Sequence, residues 1–284
     1  MERVGVVGCG LMGAGIAEVC ARAGLDVTVV EADGAAAARG ESRVRKSLDR
    51  AQASGKLDEA ARDAAWQRIR FSSEIDAIAD RQVVVEAVAE AEDLKVEVFE
   101  RLDKVVEDEG AILASNTSSI PIMKLAMATS RPESVIGIHF FNPVPVLRLV
   151  ELVTSLLTSD ETARRAESFA TDVLGKRVIR SQDRAGFIVN ALLIPYLLSA
   201  IRMLESGFAT ASDIDDGMVE GCAHPMGPLA LTDLIGLDTT MAVAESLYEE
   251  FKEPLYAPPP LLSRMVDAGL LGRKTGRGFY EYGR

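Results

Sequence analysis

Gly8, Gly10 and Gly13, separated by Cys9, Leu11 and Met12, form a GxGxxG spacing. Glycines so placed let a chain turn tightly, bring its backbone against a diphosphate and pack a helix onto a strand, so the chemistry implied is the holding of a dinucleotide. Three glycines also meet by chance in ordinary turns, and the surroundings must decide. Here the motif follows the β-branched run Val4 to Val7 and opens an apolar-periodic stretch through Ile16, Val19 and Cys20. A second run, Val27 to Val30, ends at Glu31, about twenty residues on, where an acid belongs in such a unit. Gly8 permits the turn, Gly10 admits the pyrophosphate and Gly13 allows close packing, while the amides at Leu11 and Met12 begin a helix whose positive end faces the phosphates. Glu31 is placed to accept hydrogen bonds from the adenine ribose, with Asp33 as the alternative acid. No Arg or Lys among Ala32, Asp33 and Gly34 answers a 2′-phosphate, so NAD is expected rather than NADP.

A second set of residues carries acid-base character. His139, one of two histidines, closes an apolar run in the segment Gly137-Ile138-His139-Phe140-Phe141-Asn142-Pro143. A histidine beside two phenylalanines can be a satisfied core residue or a proton carrier. Glu151 stands among Leu149, Val150, Leu152 and Val153, and a carboxylate so flanked is costly to bury unless paired. The histidine is its obvious partner: a carboxylate fixes the imidazole tautomer and stabilises the protonated form, which suits removal of a hydroxyl proton as hydride leaves the same carbon. Asn116 and Ser118, in the segment Ala114 to Ser119, follow a predicted strand, where ligands of such sheets bind.

These residues need a scaffold of alternating strands and helices. Strand-like runs recur at Val83 to Val85, Ile112 to Leu113, Val135 to Ile138, Leu147 to Val153 and Val178 to Ile179. Helical stretches span Leu94 to Val106 and a shorter piece after Pro121, implying a mostly parallel sheet. Between the second strand and the next, residues from about Ala35 to Ala65 read as a helical excursion. Beyond Arg184 the texture turns helical, at Ile188 to Leu204, Ala211 to Val219, Leu237 to Phe251 and Leu261 to Ala268. The fold class expected is α/β: a Rossmann-type domain with a helical insertion over residues 1–184, then an all-α domain for substrate and dimerisation over residues 185–284.

The chain has 284 residues, of which 48% are apolar. That suffices for two such cores. Its formal net charge is −12. Such a surplus argues against nonspecific binding to nucleic acid or to an anionic membrane, and no apolar run approaches a membrane span. A cytoplasmic location is expected. Cys9, Cys20 and Cys222 form neither a CxxC pair nor an even disulfide framework, so no metal is expected.

Six ordered blocks, VGVVGCGLMGAGIA, ASNTSSI, IGIHFFNPVPVLRLVELV, AGFIVNALLIPY, HPMGPLALTDLIGLD and LGRKTGRGFYEY, span nearly the whole chain. Together they resemble the 3-hydroxyacyl-CoA dehydrogenase family, especially its short bacterial 3-hydroxybutyryl-CoA members. The resemblance implies NAD(H)-dependent interconversion of (3S)-3-hydroxyacyl-CoA and 3-oxoacyl-CoA, with short acyl chains and a homodimeric enzyme. It implies His139 as the general acid/base, Glu151 as its orienting partner, and Ser118 and Asn190 as polar groups around the substrate C3 oxygen in a cleft between domains. Ordinary capping is the competing reading for both: Ser118 at the helix after Pro121, Asn190 on a backbone group. Glu90, Lys95, Asn142 and Lys274 are assigned to the nicotinamide side, although Lys95 can equally form a surface pair and Lys274 be a mobile terminal charge.

Coenzyme A is polyanionic, and Arg39, Arg43, Arg45, Lys46, Arg50 and Lys56 in the insertion supply a basic patch, with Arg50 and Lys56 implied by the resemblance as phosphate contacts. The sequence departs from the family at Ala185, where proline is frequent, and at Ala191, where arginine is. Two other readings stand beside this one: an NAD-dependent dehydrogenase of a free 3-hydroxy acid, and a noncatalytic dinucleotide-binding protein of the same fold.

Overall fold

Val4 to Val7, Val27 to Val30 and Val83 to Val85 are β-branched on both faces, a pattern that only a strand covered on both sides can use. In the computed structural model, which describes residues 1–283, they are neighbours in one eight-stranded sheet. The strands are β1 (Arg3–Val7), β2 (Asp26–Val30), β3 (Ile69–Ser72), β4 (Val83–Glu86), β5 (Ile112–Ser115), β6 (Val135–Phe140), β7 (Leu149–Thr154) and β8 (Arg177–Gln182). Their spatial order is β3-β2-β1-β4-β5-β6-β7-β8. Every ladder is parallel except that between β6 and β7. The chain leaves β1 toward β2 and β3, then returns to β4 on the other side, so the order reverses between β1 and β4. A crevice forms at the carboxyl ends of strands at such a reversal.

The helices of this first unit are α1 (Leu11–Arg22), α2 (Gly34–Ala53), α3 (Glu59–Gln67), α4 (Glu92–Val105), α5 (Ile122–Ala126) and α6 (Asp160–Ser168). The helical excursion is thus two helices, each capped at its N-terminus by an aspartate. Asp33 accepts from Ala36 N at 2.7 Å. Asp58 accepts from Ala61 N, also at 2.7 Å. The guanidinium of Arg45, on α2, lies 5.6 Å from the ring centre of Trp66. That distance suits a cation–π contact, and the same ring meets Phe71 of β3. Val4, Val6, Ile16, Val27, Val29, Val44 and Leu48 belong to one buried cluster that joins the sheet to α1 and α2.

Two elements here lie outside the sequence expectation. β3 is an edge strand with one of its four residues buried, so its Ile-Arg-Phe-Ser pattern lacks the double-sided apolar run of its neighbours. α6 buries only Thr162 and Ala166, leaving no apolar stripe to read, and its signature is instead Ser159 accepting from Thr162 N ahead of Asp160 and Glu161.

The chain divides into two compact units, Met1–Arg184 and Ala185–Arg284. The second holds α7 (Val189–Glu205), α8 (Ala211–Cys222), α9 (Pro228–Ile235), α10 (Leu237–Phe251) and α11 (Pro260–Asp267), around a core of Ile194, Leu198, Ile201, Leu229, Leu237, Ala244, Leu247 and Leu262. α7 runs on through Pro195. α9 was not expected from the sequence; it is eight residues long, with Pro228 at its first position and Gly236 at its end. No helix of the described residues is long and apolar enough to cross a membrane.

Candidate active site

The register places Val30, Val7, Glu86, Ser115 and Gly137 side by side across β2, β1, β4, β5 and β6. The glycine loop, the turn after β5 and His139 lie in or just beyond this row, and Glu151 lies on β7. Gly8 has φ +88°, and a Cβ there would stand 2.8 Å from Ala87 O, so the turns after β1 and β4 touch at this point. A Cβ on Gly13 would fall 1.9 Å from Gly8 O, whereas one on Gly10 would meet nothing within 4 Å. The protein itself therefore excludes a side chain at Gly8 and Gly13 but not at Gly10. There the demand for glycine comes from what the loop must hold. α1 has no side-chain cap and no acid in its first turn, leaving its amides and positive end to an anion, and Leu11 lies exposed beside Gly10. Glu31 accepts from Cys9 N at 2.6 Å and from Ala32 N at 3.2 Å, which fixes its carboxylate at the end of β2. Asp33, the other acid at this corner, is occupied in capping α2. These features fit a dinucleotide whose ribose meets Glu31. Arg43 also reaches the loop from α2 and donates to Cys9 O.

A buried polar network occupies the ends of β4 and β5. Lys95 of α4 is 1% exposed, so it is not the surface pair that its helix position allowed. Its ammonium lies 2.6 Å from Glu86 Oε1 and 3.2 Å from Glu90 Oε2. Glu90 Oε1 accepts from Ser118 N at 2.9 Å, from Ser119 Oγ at 3.1 Å and from Thr117 Oγ1. Burial pushes the Glu90 carboxyl up, but Lys95 and the bonds from Thr117 and Ser118 outweigh it and hold the group below the usual glutamate range. Ser118 is thus held through its backbone. It does not cap α5, because Ile122 N and Met123 N donate to the carboxylate of Asp183 at 2.8 and 2.7 Å. Asn116 Oδ1 accepts from Phe140 N at 2.9 Å and ties the end of β5 to β6. Glu86 and Thr117 belong to this network although no motif of the sequence singles them out. Glu86 carries the same signal as Glu31, a glutamate closing a valine-rich strand.

The one antiparallel ladder sets His139 directly opposite Glu151. Both are buried, and His139 Nδ1 lies 2.7 Å from Glu151 Oε2. An ionised carboxylate only accepts, so with Glu151 in that form Nδ1 is the donor of the pair and Nε2 is the ring's other nitrogen. The ring also packs on Phe141, with centres 4.6 Å apart. Lys176, just before β8, donates to Leu147 O at 2.7 Å and to Val144 O, which pins the connection between the paired strands. Asn142 lies on that connection, and its peptide bond to Pro143 is cis.

In the second unit, Asn190 stands in the first turn of α7. Lys274 is not a loose terminal charge; its ammonium is paired with both carboxylate oxygens of Asp238. Ala185 N donates to Glu250 Oε2 at 2.9 Å. The proline frequent in the family at that position has no hydrogen to make such a bond. Nothing in the structure explains Ala191. On the insertion, Arg39, Ser42, Arg43 and Lys46 line one hollow on α2, while Arg50 and Lys56 are exposed farther along. Among the described residues no cluster of His, Cys, Asp or Glu has the makings of a metal site.

Comparison with known proteins agrees with this geometry over the whole chain. Residues 3–184 match the 3-hydroxyacyl-CoA dehydrogenase NAD binding domain, and residues 186–282 match the C-terminal domain of the same family. The chain is 59% identical over 282 residues to a 3-hydroxybutyryl-CoA dehydrogenase of Mycobacterium tuberculosis, covering 99% of each, and 46% identical to a probable 3-hydroxybutyryl-CoA dehydrogenase of Deinococcus radiodurans, covering 99% of this chain and 100% of that one. Among solved structures it is similar to M. tuberculosis FadB2, with a TM-score of 0.99 at 59% identity over 100% of this chain and 99% of the other. It is also similar to the (S)-3-hydroxybutyryl-CoA dehydrogenase PaaH1 of Ralstonia eutropha, with a TM-score of 0.94 at 48% identity over all of both chains. With a glycine loop built for a dinucleotide and both family domains matched end to end, the chain belongs to the NAD-dependent 3-hydroxyacyl-CoA dehydrogenase family.

Proposed function

We propose that this protein interconverts (3S)-3-hydroxyacyl-CoA and 3-oxoacyl-CoA with NAD(H), acting on short chains such as 3-hydroxybutyryl-CoA and acetoacetyl-CoA. The observation that carries the reading is the His139–Glu151 pair, held at 2.7 Å by strand register in a dinucleotide-binding fold. When bound, NAD accepts or returns the hydride at C3. In oxidation, His139 Nε2 takes the proton of the substrate hydroxyl, and the carboxylate of Glu151 stabilises the imidazolium that forms. In reduction the same nitrogen gives its proton to the C3 oxygen. Ser118, whose backbone is fixed by Glu90, offers its hydroxyl to that oxygen, and the family assignment of Asn190 to the same oxygen is retained. Gly8, Gly10, Leu11, Met12, Gly13 and Glu31 hold the adenosine diphosphate half of the cofactor. Glu90, Lys95, Asn116, Asn142 and Lys274 are assigned to the other half.

Arg50 and Lys56, with the Arg39, Arg43 and Lys46 face of α2, supply positive charge for the coenzyme A phosphates, which weighs against a free 3-hydroxy acid as substrate. The dyad weighs against a noncatalytic role. On the helical unit, Leu192 is 73% exposed and Phe208 80% exposed. Large apolar side chains left in water support a homodimer that covers them. The cytoplasm suits an acidic chain whose cysteines are all unpaired. The deciding experiment follows NADH absorbance on addition of acetoacetyl-CoA, with NADPH and free acetoacetate in parallel. Rapid loss with NADH and the CoA ester alone is expected; equal rates on free acetoacetate sink the acyl-CoA reading. His139→Ala should lower kcat by about 10² to 10⁴ with NADH affinity unchanged, and turnover within a few-fold of wild type removes His139 from the mechanism.

A further inference from the structure

Glu86 has no part in the mechanism above, yet it is fully buried in the row of residues from which the site is built. A carboxylate removed from water costs several kcal/mol unless its oxygens are satisfied. Here both are: Oε1 accepts from Val88 N at 2.7 Å and Lys95 Nζ at 2.6 Å, and Oε2 accepts from Ser115 Oγ at 2.6 Å. An apolar pair of similar volume is often no less stable than a buried ion pair, so stability alone gives little reason for this one. Its place gives a better reason, because it closes β4, which with β1 borders the point where the sheet order reverses.

The ammonium of Lys95 has three hydrogens. Glu86 accepts one and Glu90 pairs with the charge at 3.2 Å, so at least one N–H has no partner among the described residues. The two carboxylates differ in freedom. Glu90 is 35% exposed and shares its other oxygen with the Thr117–Ser119 turn, whereas Glu86 is walled in and held at both oxygens. The position of the ammonium is therefore set from the Glu86 side. We propose that Glu86 is a positioning residue for the cofactor: by anchoring Lys95 at the carboxyl end of β4 it aims the third N–H at the nicotinamide half of the bound dinucleotide. This rests on the reading of Lys95 as a contact to that half.

The test compares two ligands on the intact protein, NADH and ADP, the second lacking the whole nicotinamide half, ribose and ring. Glu86→Gln keeps the shape and leaves acceptors for Val88 N and Lys95, but removes the charge. NADH affinity, read by nucleotide fluorescence, should fall about tenfold or more in Glu86→Gln and in Lys95→Met, the worth of one charge-assisted hydrogen bond. ADP affinity, read by calorimetry, should stay within about twofold in both. The double variant should bind NADH no more weakly than Lys95→Met alone, because Glu86 acts through Lys95. Losses that add, an equal loss of ADP affinity, or a normal NADH affinity in Glu86→Gln beside a weakened Lys95→Met each overturn the proposal. Normal NADH binding in Lys95→Met overturns the reading of Lys95, and the proposal with it. If Glu86→Gln does not fold, Glu86→Asp, shorter by one methylene, is judged by the same pair of ligands.

Discussion

Glu151 and Glu90 are both glutamates with partners near the strand ends, one proposed to serve a proton transfer and the other holding a turn, and they separate by experiment. Glu151→Gln keeps the volume and loses the charge that stabilises an imidazolium, so kcat should fall by about 10² or more while NADH affinity measured by fluorescence holds. The native pKa of Glu90 is held below the ordinary glutamate value. Glu90 therefore contributes stability that is fully present above that ordinary value, near about 4.3, and is lost as pH falls through the native pKa. The stability difference between wild type and Glu90→Gln, read by urea denaturation, should be largest at neutral pH and shrink toward pH 3; a difference independent of pH refutes the electrostatic account. Burial pushes the thiols of Cys9 and Cys20 up to about 12, while Cys222 is exposed. An alkylating reagent at pH 8 should label Cys222 alone, as peptide mass spectrometry would show. At this scale the dyad was legible because a carboxylate among apolar neighbours demands a partner and the sequence offers few. Glu86 was not, because its partners Lys95 and Ser115 reach it by helix packing and strand register, which no local spacing encodes.

The glycine loop is one element with two kinds of glycine, and substitution tells them apart. A methyl at Gly13 is driven into Gly8 O. Gly13→Ala should therefore cost the folded protein about 1–3 kcal/mol, visible as a lowered Tm without ligand. Gly10→Ala has open space and should leave the free protein's Tm nearly unchanged, while NADH raises that Tm far less than in wild type. A large loss of ligand-free stability in Gly10→Ala would refute the distinction. The interior strands were readable because parallel strands buried on both faces appear as unbroken β-branched runs. β3 and α6 were not, since an edge strand and a thinly buried helix have no apolar pattern to show, and α9 was hidden by the Pro and Gly that bound it. The antiparallel turn from β6 to β7 was also not read from the sequence, although it is what brings His139 and Glu151 to one rung.

For the whole molecule, a chain of net charge −12 that takes a polyanionic substrate must rely on local positive charge. Such charge is screened by salt. KM for acetoacetyl-CoA should rise severalfold between low and about 0.5 M salt, with KM for NADH changing less, because the Gly loop holds its phosphates through backbone amides. Salt independence of both would remove the basic face of α2 from substrate binding. Trp66, the only tryptophan of the chain, stands at the end of the α2–α3 insertion with Arg45 over its ring. The protein therefore carries a single indole fluorophore, lodged in the element assigned to coenzyme A rather than in the row that carries the glycine loop and the dyad. Its emission offers a label-free optical signal of substrate loading, readable without turnover and without engineering a dye.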